Sequence, residues 1–264
     1  MERIHAVLLS GGSAFGLDAA AGVMRYLEER GVGLSTPAGL VPIVVGAVLY
    51  DLSIGRSDVR PDAAAGYAAC EAARSGRIAQ GSVGAGCGAT VGKALGMERA
   101  VKGGIGTASE GTAGGIIVGA LVAVNCLGEV VDPDSGRILA GPRDEGGGFL
   151  STLDILQRRP ASALSGGFTN STIGVVATNA RLNREQAYRL AVMAHDGLAR
   201  AVRPAHTPVD GDLFFSLATG ATEAAADIIT LGALAARAVE RAIVRAVTEA
   251  RGLAGVPSLG EVRR

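Results

Sequence analysis

Short apolar runs alternate along the chain with stretches of helical periodicity. The runs are apolar at successive positions, which is typical of strands covered on both faces rather than of strands with one face in water. The strands predicted in this way lie at 4–9, 41–50, 116–124, 171–178 and 213–217. Pro42 interrupts the second of these runs near its start.

Helical patterns occupy much of the chain between these runs. Apolar residues at near-helical spacing, or Ala-rich stretches, predict helices at 15–30, 61–74, 183–202 and 223–251. Asn183, with Gln186 three residues later, has the spacing of a capping box. The last stretch predicts one long helix, or two with a break near Gly232. Strands and helices mix without a strict βαβ rhythm, so we expect a single domain over 1–264 with helices on both sides of its sheets.

Composition and charge narrow the class of protein. The chain has 264 residues, 48% of them apolar, with 25 basic and 25 acidic side chains and no net charge. A nucleic-acid-binding protein usually carries a basic excess, so we expect no nucleic-acid partner. The apolar runs are shorter than the roughly 18 residues of a membrane helix, and the first residues lack a signal-peptide pattern. Three cysteines without CxxC spacing favour reduced thiols, and together these features predict a cytoplasmic protein with no membrane contact.

Glycine-rich turns raise the question of nucleotide binding. Gly11 and Gly16 have the spacing of a phosphate-binding loop, but Leu17 follows where that loop requires lysine. Near Lys93 the lysine is present, whereas Cys87 replaces the first glycine. With 40 glycines in the chain, close backbone packing is the simpler interpretation of these turns.

The most informative stretch is the junction of residues 141–168 with the apolar run at 171–178. The first segment is polar and rich in glycine and arginine, and it predicts an exposed connection. Asn170 and Ser171 lie where it ends. If the chain were cut between them, Ser171 would carry a hydroxyl and an α-amine with a reference pKa of about 7.7–8. Such an amine can act as a general base near neutral pH, which is how N-terminal nucleophile enzymes work.

A second candidate is the sequence Asp210-Gly211-Asp212. Two carboxylates at positions i and i+2 point to the same side of an extended backbone. Close like charges raise one pKa, so such a pair can share a proton or orient a hydroxyl. Metal binding with His206 and His195 is an alternative, although no ligand spacing supports it. The other alternative is that these residues form only a polar turn before the strand at 213–217.

Four stretches, at 9–17, 81–93, 170–179 and 210–220, together resemble one family. This is the L-aminopeptidase/D-esterase family of self-cleaving N-terminal nucleophile hydrolases, which includes β-peptidyl aminopeptidases and nylon-oligomer (6-aminohexanoate oligomer) endo-hydrolases. The resemblance spans nearly the whole chain, in order, and Asp-Gly-Asp is more similar to the nylon-oligomer branch. It implies an α/β fold with four αββα layers: two central sheets with helices outside. Family members carry several tens of residues ahead of the stretch that corresponds to 4–16.

The same resemblance implies roles for residues at the junction. Ser171 corresponds to the nucleophile, and Asn170 to the residue whose carbonyl is released by self-cleavage. Asp210 and Asp212 correspond to the acidic partners of the nucleophile. The products of this cleavage are a larger subunit, 1–170, and a smaller subunit, 171–264, that carries the nucleophile.

Three further residues correspond to groups around the site. Lys93 matches a lysine near the nucleophile, Asn125 an amide that donates to the oxyanion, and Tyr50 a tyrosine that lines the substrate site. Each also has a plain structural interpretation: a solvated lysine, an amide bonded to a turn, and a packing residue at a strand end. Cys126 and the three histidines are interpreted as structural.

The function implied is hydrolysis of amide or peptide bonds in a small substrate, without metal or organic cofactor. One alternative is an acyltransferase of the ornithine acetyltransferase type, which shares the fold and differs in the acceptor of the acyl group. Another is a fragment that is never cleaved. The resemblance also implies a homo-oligomer, specifically a tetramer.

Overall fold

The computed structural model describes residues 3–158, 170–224 and 227–262. Its strands are β1 (Ala6–Ser10), β2 (Leu34–Thr36), β3 (Gly39–Val41), β4 (Val44–Val48), β5 (Thr90–Val91), β6 (Val101–Lys102), β7 (Gly104–Gly111), β8 (Ile117–Asn125), β9 (Glu129–Val131), β10 (Ile138–Ala140), β11 (Ser171–Thr178), β12 (Val202–Arg203) and β13 (Leu213–Ala218). Its α-helices are α1 (Ala19–Glu28), α2 (Ala63–Ala72), α3 (Thr152–Arg158), α4 (Arg184–Ala201), α5 (Ile228–Thr248) and α6 (Leu259–Val262). Short 3₁₀ helices span Ser13–Asp18, Gly84–Gly86 and Met97–Arg99.

The main sheet has the strand order β13-β11-β8-β7. β11 runs parallel to β13 and antiparallel to β8, and β7 runs antiparallel to β8. In this register Ser171, the first residue of β11, lies opposite Asn125, the last residue of β8. The start of β11 is therefore flanked by chain on both sides, because β8 and the segment leading into β13 both extend to this end of the sheet.

Helices α4 and α5 cover one face of the main sheet and form the larger hydrophobic core with it. This core includes Val122, Val176, Leu198 and Ile243, all essentially inaccessible to solvent. Small residues let the layers approach closely: a Cβ at Gly106 would lie 1.9 Å from the carbonyl oxygen of Ala242 on α5. The abundance of glycine in the sequence thus serves close backbone packing.

A second layer, the parallel pair β1–β4, packs on the other face of the main sheet. The contact is a smaller apolar cluster of Leu49, Ala85, Ala89, Ala123 and Ile173. Helices α1 and α2 pack on each other and α1 also contacts β1 and β4. The order of layers is α1 and α2, the pair β1–β4, the main sheet, then α4 and α5. This is the αββα arrangement that the resemblance implied.

The predicted elements are largely confirmed. Strands occur at β1, β8, β11 and β13 close to the predicted bounds, and the run at 41–50 is divided around Pro42 into β3 and β4. Asn183 accepts from the Gln186 N–H at 2.9 Å while the Gln186 side chain accepts from the Asn183 N–H, so the capping box is present. None of the helices in the described ranges is both long and apolar enough to span a bilayer.

Of the two alternatives for the last helix, one long helix is confirmed, because α5 runs on through Gly232, where the missing side chain makes room for Met193 of α4. Two regions differ from the predictions. The glycine-rich stretch after residue 81, in which no strand was predicted, contains β7, a full strand of the main sheet. The exposed connection predicted at 141–168 contains α3, which begins at the buried Thr152. Its remainder, 159–168, lies outside the described residues.

Candidate active site

The junction between residues 170 and 171 lies at one end of the main sheet. An isolated parallel bridge between Asn170 and Asp210 lies three residues before Ile173 and Leu213, the first pair of β11 and β13. Asn170 is buried, and its side-chain Nδ2 donates to the carbonyl oxygen of Val209 at 3.3 Å. The residues on either side of the junction are therefore held by the sheet and by the segment that leads into β13.

The carbonyl group of Asn170 has two hydrogen-bond donors. The Ser171 hydroxyl donates to its oxygen at 2.5 Å, and the Gly211 N–H donates to the same oxygen at 2.8 Å. A Cβ at Gly211 would lie 2.8 Å from Ser171 Oγ, so a side chain here would press on the hydroxyl. Glycine at position 211 thus allows a backbone N–H and a hydroxyl to meet at one carbonyl oxygen.

Asp210 and Asp212 lie on either side of Gly211, and each holds a different part of the site. Asp210 Oδ1 accepts from the Leu127 N–H at 3.1 Å, and Oδ2 accepts from the Thr207 hydroxyl. Burial raises the pKa of Asp210, and the nearby carboxylate of Asp212 raises it further, while the Thr207 hydrogen bond opposes both.

Asp212 is almost completely buried, with 3% of its side chain exposed. Its Oδ1 accepts from the Thr172 N–H at 2.8 Å, directly after the predicted nucleophile. Its Oδ2 accepts from the His206 N–H at 3.0 Å and lies 3.2 Å from His206 Nδ1. In the described part of the chain, these two carboxylates accept from the N–H groups of Leu127, Thr172 and His206 and from the Thr207 hydroxyl, and not from the Ser171 hydroxyl.

Lys93 and Asn125 form a second group at the same end of the sheet. Lys93 Nζ donates to Asn125 Oδ1 at 2.8 Å and to the Asn125 carbonyl oxygen at 3.2 Å. Burial lowers the pKa of Lys93 to about 8, although the charge of Asp210 opposes the shift. Asn125 is fully buried, and the sheet places it opposite Ser171.

Tyr50 follows β4 and joins this group through its backbone. Its carbonyl oxygen accepts from Asn125 Nδ2 at 3.0 Å, which connects the second layer to the main sheet. The side chain of Tyr50 is partly exposed. The fold therefore brings together, at one end of the sheet, every residue that the sequence singled out: Tyr50, Lys93, Asn125, Asn170, Ser171, Asp210 and Asp212.

Residues 1–259 match peptidase family S58. The chain belongs to this family. An uncharacterized aminopeptidase of Mycobacterium tuberculosis is 42% identical over 278 residues, covering 97% of this chain and 77% of that protein. A 6-aminohexanoate-oligomer endohydrolase of a Kocuria species is 34% identical over 221 residues, covering 81% of this chain and 60% of that protein.

Solved structures agree with the family assignment. A β-aminopeptidase of a Burkholderia species superposes with a TM-score of 0.62 at 28% identity, over 93% of this chain and 68% of that one. The L-aminopeptidase D-Ala-esterase/amidase of Ochrobactrum anthropi, described as a variant of the Ntn hydrolase fold, has a TM-score of 0.62 at 24% identity. That match covers 92% of this chain and 65% of the other, and supports the fold. This S58 peptidase is therefore a hydrolase of peptide or amide bonds, and the predicted family resemblance and fold class are confirmed.

Sequence reasoning about this S58 peptidase missed several groups around the site. The Gly211 N–H and the Thr207 hydroxyl are in contact with the predicted residues, but neither residue type is distinctive by itself. Lys102 is fully buried, and its Nζ donates to the carbonyl oxygens of Cys87 and Ala89 at 2.6 and 2.8 Å. Burial lowers the pKa of Lys102 to about 8. The sequence does contain an indication that Lys102 is unusual, because Lys93 and Lys102 are its only two lysines.

Cys126 and the possible metal ligands can also be placed. Cys126 is buried directly after β8, its Sγ donates to the Gly128 carbonyl oxygen at 3.3 Å, and burial raises its pKa well above the ordinary thiol value. A buried thiol of this kind is unreactive. Within residues 3–158, 170–224 and 227–262, no group of three or more His, Cys, Asp and Glu side chains is arranged to hold a metal ion.

Proposed function

We propose that this S58 peptidase cuts its own chain between Asn170 and Ser171 and then hydrolyses small peptides or amides with the Ser171 hydroxyl. The observation that supports it is the meeting of the Ser171 hydroxyl and the Gly211 N–H at the Asn170 carbonyl oxygen, at 2.5 and 2.8 Å. A nucleophile next to a carbonyl that already has a backbone donor is the starting arrangement for acyl transfer.

The cleavage proceeds in two steps. Ser171 Oγ bonds to the Asn170 carbonyl carbon while the Gly211 N–H stabilises the negative charge that forms on the carbonyl oxygen. Breakage of the C–N bond leaves an ester on Oγ, and the hydroxyl proton ends on the freed nitrogen. Water then hydrolyses the ester, which gives a carboxylate on Asn170 and restores the hydroxyl of Ser171.

In the mature enzyme the new α-amine has the role of base. With a reference pKa of about 7.7–8, it accepts the hydroxyl proton as Oγ attacks the substrate. Asn125, at the end of β8 opposite Ser171, and Lys93, which follows β5 and donates to Asn125, stabilise the oxyanion. The carboxylates of Asp210 and Asp212 stabilise the ammonium that forms. An acyl-enzyme results, and water releases it.

The proposal is tested by intact-protein mass spectrometry of the purified wild type, followed by gel filtration. We expect two chains, 1–170 and 171–264, that elute together. They stay associated because β11 pairs along its whole length with β8, which lies on the other side of the cut. We also propose that the protomers assemble into a tetramer. A wild type that hydrolyses amides as one uncut chain would contradict self-cleavage, and elution at the 26.4 kDa of one protomer would contradict assembly.

The proposed setting is the cytoplasm, and no metal or organic cofactor takes part in the steps above. The location is supported by the three cysteines, Cys70, Cys87 and Cys126, all of which are free thiols. The proposed substrates are those named for the relatives, peptides with a free amino terminus or oligomeric amides. Product analysis with added amine acceptors distinguishes hydrolysis from acyl transfer, since transfer would appear as a new amide.

Lys93→Met is expected to lower the rate of substrate hydrolysis at pH 7 by about 10²-fold, the cost of removing one oxyanion-stabilising group. Because burial places the pKa of Lys93 at about 8, the ammonium is charged below that pH and neutral above it. The α-amine of Ser171 also titrates near this pH, and its loss of a proton raises the rate in all variants alike, so the comparison is made as a ratio of rates. The wild-type rate should decline as the pH rises through 8 relative to that of Lys93→Met, and relative to that of Lys93→Arg, whose guanidinium keeps its charge. Ratios that stay constant with pH would exclude this role.

A further inference from the structure

Two of the three histidines lie together beside Asp212, next to the site but outside the chemistry described so far. His206 Nδ1 lies 3.2 Å from Asp212 Oδ2, and the His206 N–H donates to the same oxygen. On its other side, His206 Nε2 lies 3.3 Å from His195 Nδ1. The three side chains thus form a continuous row of close polar contacts that ends at the carboxylate.

Both imidazole rings are held in place. His206 has a left-handed backbone with φ of 55°, a region in which residues other than glycine are uncommon and His, Asn and Asp are enriched. His195, on α4, packs edge-on against the Phe214 ring with centroids 5.0 Å apart, and its ring lies 4.8 Å from that of His206.

The contacts of the row limit how many protons the pair can carry. An ionised carboxylate only accepts, so a hydrogen on His206 Nδ1 is the arrangement that suits its contact with Asp212. One further proton lies between His206 Nε2 and His195 Nδ1, since two would place N–H against N–H. The pair is therefore neutral or singly charged. Burial, and then the neighbouring His206 ring, lower the pKa of His195. Of the two rings, His206 is the one in contact with the Asp212 carboxylate, which attracts a positive charge.

We propose that His206, supported by His195, is a positioning residue that controls the charge beside Asp212 and thereby makes the reaction of Ser171 depend on pH. The inference rests on the proposed function. Asp212 holds the Thr172 N–H and so the start of β11, and its negative charge stabilises the ammonium formed when the Ser171 amine takes the hydroxyl proton. A charged His206 cancels that negative charge. The rate of hydrolysis therefore falls as the pH drops and the pair gains its proton.

Other ionisable groups face this row, and their effects on the pH dependence must be distinguished from the effect of His206. They are Asp196 on α4, Asp210 before β13, Lys93 after β5 and Cys126 after β8. Asp196 opposes the lowered pKa of His195, and protonation of Asp210 at acid pH removes a negative charge near Ser171 as well. A test must therefore change His206 and leave these groups in place.

His206→Asn is the suitable variant. Asparagine accepts a left-handed backbone readily, and its Nδ2 can donate to Asp212 where the ring Nδ1 did, but it does not titrate. The measurement is the rate of amide hydrolysis from pH 5.5 to 7.5 in the cleaved enzyme. With a histidine reference pKa of about 6.5, we expect the ratio of the His206→Asn rate to the wild-type rate to rise about 10-fold as the pH falls across this range.

The matched control is His5→Asn, the third histidine. His5 Nδ1 accepts from the Ile43 N–H at 2.9 Å, at the far edge of the β1–β4 pair, so its replacement should leave the pH profile of the wild type unchanged. A ratio for His206→Asn that stays constant with pH would overturn the inference, because a purely structural histidine would affect all pH values alike.

A second measurement does not depend on activity. In Ser171→Ala, nuclear magnetic resonance of the ring protons follows the titration of each histidine. We expect one proton to be taken up by His195 and His206 together, and the midpoint to fall when Asp212→Asn is added. A midpoint pH that is the same with and without Asp212→Asn would contradict the coupling between Asp212 and the two histidines. Failure of the proposed function appears differently, as a wild type that stays uncut while these titrations remain as expected.

Discussion

Ser171→Ala is expected to leave one uncut chain of 264 residues and to abolish amide hydrolysis. The variant keeps the Gly211 N–H on the Asn170 carbonyl oxygen but removes the only hydroxyl in contact with that carbonyl group within the described residues. Without Oγ no ester can form, so neither the cut nor the α-amine of the mature enzyme is produced. Intact mass and the rate of substrate hydrolysis measure the two losses separately.

The control for this loss is Ser109→Ala. Ser109 is exposed on β7, away from the junction, so its replacement removes the same hydroxyl without touching the site. We expect this variant to be cut and to be as active as the wild type. If Ser171→Ala were cut between the same two residues, the nucleophile would have to be another group.

Asp210→Asn is expected to slow both self-cleavage and turnover by roughly 10²–10⁴-fold, the range for losing a group that takes part in proton transfer. The amide keeps the shape of the side chain, and its oxygen can still accept from the Leu127 N–H while its NH₂ donates to Thr207. What is lost is the negative charge. The two rates are measured by the time course of chain cleavage in freshly folded protein and by steady-state hydrolysis.

A control variant and a double variant test whether the loss of rate is specific to the charge of Asp210. Asp154→Asn changes an exposed aspartate on α3 and should leave both rates unchanged. Combining Asp210→Asn with Asp212→Asn should cost little more than the worse single change, because residues that act as a unit are not additive. Activity that is lost in EDTA and restored by a divalent ion would support the metal alternative instead, and near-normal rates in Asp210→Asn would remove the proposed role.

Burial raises the pKa of Asp210, so acid should reproduce part of the Asp210→Asn effect in the wild type. Protonation at low pH removes the same charge that the substitution removes. Because its pKa is raised, Asp210 is protonated at a higher pH than an exposed aspartate would be. The rate of hydrolysis therefore falls with decreasing pH for this reason as well as for the reason proposed for His206. Only the His206 contribution should disappear in His206→Asn.

Much of the local structure is encoded in short stretches and could be predicted from them. The apolar run that became β11, the capping box at Asn183, and the Asp210-Gly211-Asp212 motif each depend on residues within a few positions of one another. The same is true of the motif that identifies Asn170 and Ser171 as a junction. Periodicity failed where composition was ambiguous: the small residues of β7 predicted no strand, and its strand character comes from pairing with β8.

The sequence by itself determined the order of most helices and strands, the family, and which residues the site would use. Only the tertiary structure decided how those residues touch: the Lys93–Asn125–Tyr50 contacts, the Gly211 N–H on the Asn170 carbonyl oxygen, and the row from Asp212 to His195. The reason is physical. Periodicity and capping arise from interactions between near neighbours in the chain, whereas these contacts join segments that meet only after the sheet and its covering layers have packed.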